Sequence, residues 1–222
     1  MRNNKYNCLD SNNFELVVKN FNILFDSSNY EMASSVVPID INELSNEDKS
    51  KARIIIVGSI TPWNGKGWFY TAPKTKMYKV LDQVIPNANF NYLKDNDMID
   101  ELKEALKEEG IYFIDVFKKV IRQKNTASDK AIMFGKLNDD AFTSFINGLN
   151  NNKILVVANS KLSYDLCDRI LTRNKLKDKC VFLDKPHTIF NYWDFEKMVD
   201  DWKKVFELTN KYYLKKSIEI KM

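Results

Sequence analysis

The sequence predicts an α/β fold: a three-layer α/β/α arrangement on a central four-stranded parallel sheet (51–222), preceded by an N-terminal helical extension (1–50). Three observations carry this expectation. Four short apolar runs, starting at Arg53, Ile111, Lys153 and Cys180, have the length and β-branched content of buried strands. Segments with helical spacing separate them, and such alternation builds a parallel sheet. Each run also leads into a loop or polar turn, the layout by which open α/β sheets form a site at the carboxyl ends of their strands.

In chain order, the apolar positions of 14–25 fit an amphipathic helix, and Asp26-Ser27-Ser28-Asn29 is a turn cluster that ends it. A second short helix is expected over Asn42 to Lys49, capped from Asp40. Arg53-Ile54-Ile55-Ile56-Val57 is the first strand and stops at Gly58. A loop dense in glycine, proline and aromatic residues follows, and Met77, Val80 and Leu81 then return to helical spacing. Met98 to Glu109 reads as a helix with Ile99, Leu102 and Leu106 on one face, closed by Gly110. Ile111 to Val116 is the second strand, Asn138 to Leu149 a helix, and Lys153 to Ala158 the third strand. A helix over Ser160 to Leu171, a fourth strand over Cys180 to Leu183 and an amphipathic helix over Trp193 to Leu208 complete the chain.

Composition bounds the function. Of 222 residues, 44% are hydrophobic and 29% charged, the balance of a globular chain with a sizeable core. No apolar run reaches the roughly 18 residues of a membrane span, and the first residues lack a hydrophobic signal core, so a cytoplasmic protein with no membrane association is expected. Cys8, Cys167 and Cys180 show no metal-ligand spacing, and with His187 as the single histidine no metal site is expected. The net charge of +4 is mild, but its distribution is uneven. Lys66, Lys74, Lys76 and Lys79 are unopposed in sequence, as are Lys118, Lys119, Arg122 and Lys124. Both groups follow predicted strands, so they are expected on one edge of the sheet, as a cationic rim for a polyanion or as a solvated lysine-rich surface.

Four patches in those strand-end loops carry a resemblance. Gly58, Pro62, Phe69-Tyr70, Pro73, Tyr78 and Leu81 resemble the first motif of the uracil-DNA glycosylase superfamily, nearest the hypoxanthine-DNA and mismatch-specific branches. Pro62 stands one residue further from Gly58 than in that pattern, and the family's asparagine falls on Thr75. Gly110-Ile111 through Asp115-Val116, then Arg122, Ser128, Asp129 and Ile132, resembles the branch pattern G-I-x-x-x-D-V…R…S-x-D-x-x-I. Asn159 and Lys161 match an F-N-G-K-x-A element in which Ser160 replaces glycine, and Pro186-His187 stands where the family has an H-P-S-like loop. The resemblance spans roughly Ala52 to Phe206.

That resemblance implies cleavage of an N-glycosidic bond on a base flipped out of DNA, with no metal or organic cofactor. The catalytic candidates it implies are Asp115 to activate water, Asn64 as the alternative in the first loop, and His187 to steady the departing base anion. Phe69, Tyr70 and Trp63 would wall the base, and Asn159 would read its edge with one donor and one acceptor. Lys74, Lys76, Arg122, Ser128, Lys161 and Lys185 would hold flanking phosphates. Each residue also has a structural reading. Asp115 serves equally as a helix cap or as a partner of Arg122, Asn159 as the cap of its helix, His187 as a core histidine, and the aromatic rings as plugs of the core. The functional expectation is a monofunctional DNA glycosylase acting on uracil, hypoxanthine or a modified phage base, with DNA as partner and no obligate protein partner. The alternatives are a catalytically silent nucleic-acid-binding member of the same fold, and a different α/β enzyme acting on a nucleotide.

Overall fold

A strand buried on both faces has no polar side to show, which is why the four runs read as continuous apolar stretches. The structure, a computed structural model, describes residues 8–60, 67–125, 128–149, 153–189 and 194–219, with side chains to residue 210. In chain order the elements are β1 (Cys8–Leu9), α1 (Ser11–Lys19), α2 (Phe21–Leu24), β2 (Tyr30–Ser34), α3 (Asn46–Lys51) and β3 (Ile54–Gly58). There follow α4 (Met77–Val84), α5 (Phe90–Asp95), α6 (Ile99–Glu108), β4 (Ile111–Asp115), β5 (Phe117–Gln123), β6 (Ile132–Leu137) and α7 (Asp139–Gly148). The chain ends with β7 (Ile154–Ala158), α8 (Lys161–Arg173), β8 (Cys180–Phe182) and α9 (Phe195–Glu219).

The expected parallel sheet is present, in the order β4-β3-β7-β8 with every pairing parallel. All residues of β3, β4 and β7 are buried, and alternate side chains enter two different cores. Ile55 and Val57 meet Phe142, Phe145, Leu166 and Ile170 of α7 and α8. Ile54 and Ile56 meet Val80 and Leu81 of α4, Leu102 and Leu106 of α6, and Met198, Trp202 and Val205 of α9. Burying a side chain of this size is worth about 1.5–3 kcal/mol, so the flanking helices are held firmly to the sheet. Gly110, at φ 67, turns the chain from α6 into β4, and a Cβ there would lie 2.1 Å from the Lys51 carbonyl oxygen.

A second four-stranded sheet, β1-β6-β5-β2, was not expected. Phe117–Gln123 and Ile132–Leu137, expected as parts of a loop, form the antiparallel β5–β6 pair with two register irregularities. The N-terminal region supplies both outer strands: β1 pairs parallel with β6, and β2 pairs antiparallel with β5. Residues 1–50 are thus not a helical appendage where described. The predicted helix at 14–25 is present as α1 and α2, broken at Asn20, and the second is shifted to Asn46–Lys51 with a Ser45–Asp48 capping box. α5 is a further element that sequence reading did not mark; the Asp82 carboxylate accepts the Phe90 and Asn91 N–H groups at its start, at 2.8 and 3.1 Å. No helix among the described residues is long and apolar enough to cross a membrane.

Candidate functional site

Parallel strands with crossover helices bring their carboxyl ends to one edge, and three polar side chains meet there. Gly58 ends β3 and pairs in register with Asp115, which ends β4. A Cβ on Gly58 would lie 2.4 Å from Asp115 Oδ1 and 2.8 Å from the Tyr70 hydroxyl oxygen. The bare Cα of Gly58 is the space in which those two groups approach one another. Asn159 follows β7, and its Nδ2 donates to the Tyr70 hydroxyl at 2.6 Å. Asp115 is 3% exposed, and its backbone carbonyl accepts from Asn138 Nδ2 at 3.1 Å.

Tyr70 reaches this point from a left-handed backbone, φ 54, where a side chain with a Cβ is strained by about 1–3 kcal/mol. Its ring rests against Phe113 of β4, with centroids 5.3 Å apart. Burial first, and then the Asp115 carboxylate, push the Tyr70 hydroxyl well above the usual tyrosine range. It therefore remains a protonated donor near neutral pH while accepting from Asn159.

Asn159 is itself held in place. Ser163 Oγ donates to its Oδ1 at 3.3 Å. The cap of α8 falls to Ser160, whose Oγ accepts the Ser163 N–H at 3.1 Å while Ser163 Oγ accepts the Ser160 N–H at 2.9 Å. Ser160 thus takes the capping role for which Asn159 was the sequence candidate. With one N–H on Tyr70 and one lone pair facing Ser163, the amide has a second N–H and a second lone pair that no bond among the described residues takes up.

Asp129 ties this edge together from the short 3-10 turn before β6. Ser59 Oγ donates to one of its oxygens at 2.5 Å and Ser160 Oγ to the other at 3.1 Å. Burial holds the Asp129 carboxyl above the usual carboxylate range, against the pull of the Ser59 and Ser160 hydrogen bonds. Sequence reading gave Ser59, Ser160, Ser163 and Asp129 no role in the site. A polar residue within two positions of the end of a buried strand, as Ser59 and Ser160 both are, was the available signal.

The remaining candidates divide. The His187 N–H donates to the Ala158 carbonyl oxygen at 2.8 Å, which puts its backbone at the same edge, and its Nδ1 lies 2.7 Å from Asp201 Oδ2 of α9. Phe69 is 2% exposed and stacked on Phe113 at 5.7 Å, with Trp68 edge-on at 5.1 Å. In place of an open aromatic wall, its ring is part of the core. Arg122 is buried, and its Nε donates to Glu31 Oε1 at 2.7 Å across β2 and β5, so this guanidinium is not displayed to a polyanion. Ser128 caps the 3-10 turn through the Lys130 N–H. Lys74 is exposed and Lys76 half-buried just before α4. Lys161 opens α8 beside Asp165 and over the Tyr164 ring, and Lys185 Nζ stands 3.8 Å from Asp201 Oδ1. Trp63 and Asn64, with Pro62 and Lys66, lie outside the described residues.

Three of the four members of the second cationic group, Lys118, Arg122 and Lys124, have partners in space although not in sequence. Lys118 pairs with Asp140 at 3.3 Å, Arg122 with Glu31, and Lys124 Nζ donates to the Ser27 carbonyl at 2.6 Å. Among the described residues, no group of three or more His, Cys, Asp or Glu is placed to hold a metal ion. Comparison of the chain with protein-family models, with curated proteins and with solved structures yields no match.

Proposed function

We propose that the chain hydrolyses an N-glycosidic bond, as a monofunctional DNA glycosylase of the uracil-DNA glycosylase type on a three-layer α/β/α frame. The observation that carries this reading is the convergence of the Asp115 carboxylate and the Tyr70 hydroxyl on Gly58, with the Asn159 amide bonded to Tyr70. Loss of a base passes through an oxocarbenium-like transition state, which an anion at the sugar stabilises. Asp115 supplies that anion from a buried position, where its charge is felt strongly. The free donor and lone pair of Asn159 address the edge of the base, and Tyr70 sets where that amide points. Lys74, Lys76, Lys161 and Lys185 flank the phosphates of the extruded nucleotide. The reading entails no cofactor, an abasic product, a cytoplasmic setting and no obligate protein partner.

One observation favours a second reading, the same bond cleaved in a free nucleotide. Lys118, Arg122 and Lys124 are engaged within the fold, which leaves fewer cations for a long polyanion. One assay separates the two. Labelled duplexes carrying uracil, hypoxanthine or a modified cytosine, and phage DNA with hypermodified bases, are incubated with the protein and treated with alkali. Free nucleotides are followed in parallel for base release. Alkali-dependent breaks are expected, falling at least about 100-fold in Asp115→Asn. Base release from nucleotides alone would select the second reading, and no release from any substrate would refute both.

A further inference from the structure

The contact between His187 and Asp201 bears on which imidazole nitrogen can act on a substrate. Neutral imidazole carries one proton, and an ionised carboxylate can only accept. In a neutral imidazole facing an ionised Asp201, with Oδ2 2.7 Å from Nδ1, the proton is expected on Nδ1 and the lone pair on Nε2. A neutral His187 of this tautomer accepts protons at Nε2, whereas steadying a base anion, the role its sequence position implied, calls for a donor.

Three features hold this pair in place. The His187 N–H is bonded to Ala158 at the edge, one residue from Asn159. Asp201 precedes Trp202, which is fully buried and fixes this part of α9 against the sheet, its ring 6.5 Å from the imidazole at 72°. Lys185 Nζ faces the other Asp201 oxygen at 3.8 Å, so both carboxylate oxygens face a partner. The His187 side chain is 6% exposed and that of Asp201 32%.

We propose that His187 Nε2 takes the proton of the hydrolytic water, with Asp201 as the positioning residue, and that Asp115 serves to offset charge on the sugar. The inference rests on the N-glycosidic reading. As the bond from the sugar carbon to the base nitrogen breaks, its electron pair leaves with the base. The water oxygen bonds to the sugar carbon, and its proton passes to Nε2. The imidazolium then gives that proton to the departed base, which restores the neutral histidine and balances the hydrolysis.

His187 is the one histidine of the chain, so its signals need no assignment. The test is long-range proton–nitrogen correlation on the full chain labelled with 15N-histidine, at a pH where the imidazole is neutral. The expected pattern is a protonated Nδ1 and a bare Nε2; a protonated Nε2 overturns the proposal. In Asp201→Asn the amide can present N–H to Nδ1, which moves the proton to Nε2. This variant is expected to swap the tautomer and lower kcat about 10²- to 10⁴-fold. KM should stay within about threefold, because ground-state binding is untouched. Asp201→Glu, which keeps the carboxylate, is expected to restore the Nδ1 tautomer. Thermal melts of both variants establish that they fold. An unchanged tautomer in Asp201→Asn, or a swapped tautomer with unchanged kcat, removes Asp201 from the mechanism. The expected tautomer with no base release from any substrate would refute the glycosidic reading and the role of His187 in it, while leaving the pairing itself established.

Discussion

Gly58→Ala tests the convergence on which the site depends. The added methyl would sit 2.4 Å from Asp115 Oδ1 and 2.8 Å from the Tyr70 hydroxyl oxygen. An ordinary carbon–oxygen contact is roughly 3.3 Å, so the carboxylate must retreat by close to an ångström. It has little room, since Asp115 is 3% exposed and Tyr70 is bonded to Asn159. Overpacking of this kind costs about 1–3 kcal/mol. For a chain of this size that corresponds to a fall in Tm of roughly 2–12 °C. Urea denaturation of four proteins provides the assay: wild type, Gly58→Ala, Asp115→Ala and the double variant. Truncating Asp115 removes the nearer obstacle, so the alanine at position 58 should cost at least about 0.5 kcal/mol less in that background. Strict additivity would mean that the carboxylate does not occupy the space beside Gly58, and the geometry proposed for the site would be wrong.

Two further outcomes are expected. Arg122→Met should lower stability by about 1–3 kcal/mol, because it strands the partly buried Glu31, yet leave the salt dependence of any DNA binding unchanged; a shallower salt dependence would return Arg122 to the phosphate contacts. Asp129 gives a pH signature. Its folded-state pKa is raised by burial, so the folded chain holds the proton more tightly, and this group favours folding below its unfolded value. Stability should then decline as pH rises from the unfolded value through the folded one, and Asp129→Asn should flatten that decline in denaturation curves at roughly pH 3 to 7. An unaltered profile would show that the carboxyl is not buried as described.

The parallel sheet was legible because β3, β4 and β7 are buried on both faces, and a short, fully apolar, β-branched run between helical segments fits little besides a doubly covered strand. The second sheet was hidden by its half-exposure. β5 reads Phe-Lys-Lys-Val-Ile-Arg-Gln, with two irregularities in its pairing to β6 that break the alternation of a half-buried strand. Lys118 and Arg122 of β5, and Lys124 just after it, looked unopposed because their partners, Asp140, Glu31 and the Ser27 carbonyl, are carried by other parts of the chain. At the site, Asp115 and Asn159 could be found as polar residues at strand ends. The direction of the Tyr70 hydroxyl could not, since it follows from a left-handed backbone at a residue other than glycine. The Ser59–Asp129 link joins residues 70 apart, and that between His187 and Asp201 joins a loop to a helix face. Both are tertiary facts with no local signature.

The weaving of β1 and β2 into the second sheet has a consequence for how the protein is made. Glu31 emerges from the ribosome 91 residues before Arg122, its partner in the sheet. At about 5–20 residues per second, the N-terminal segment waits roughly 5 to 18 s for the strand that will receive it. During that interval Phe14 and Phe21, buried in the finished protein, have no sheet to cover them. Nascent chains of this protein therefore offer chaperones an early, well-defined client segment, and the pace of translation through β5 sets how long it stays on offer.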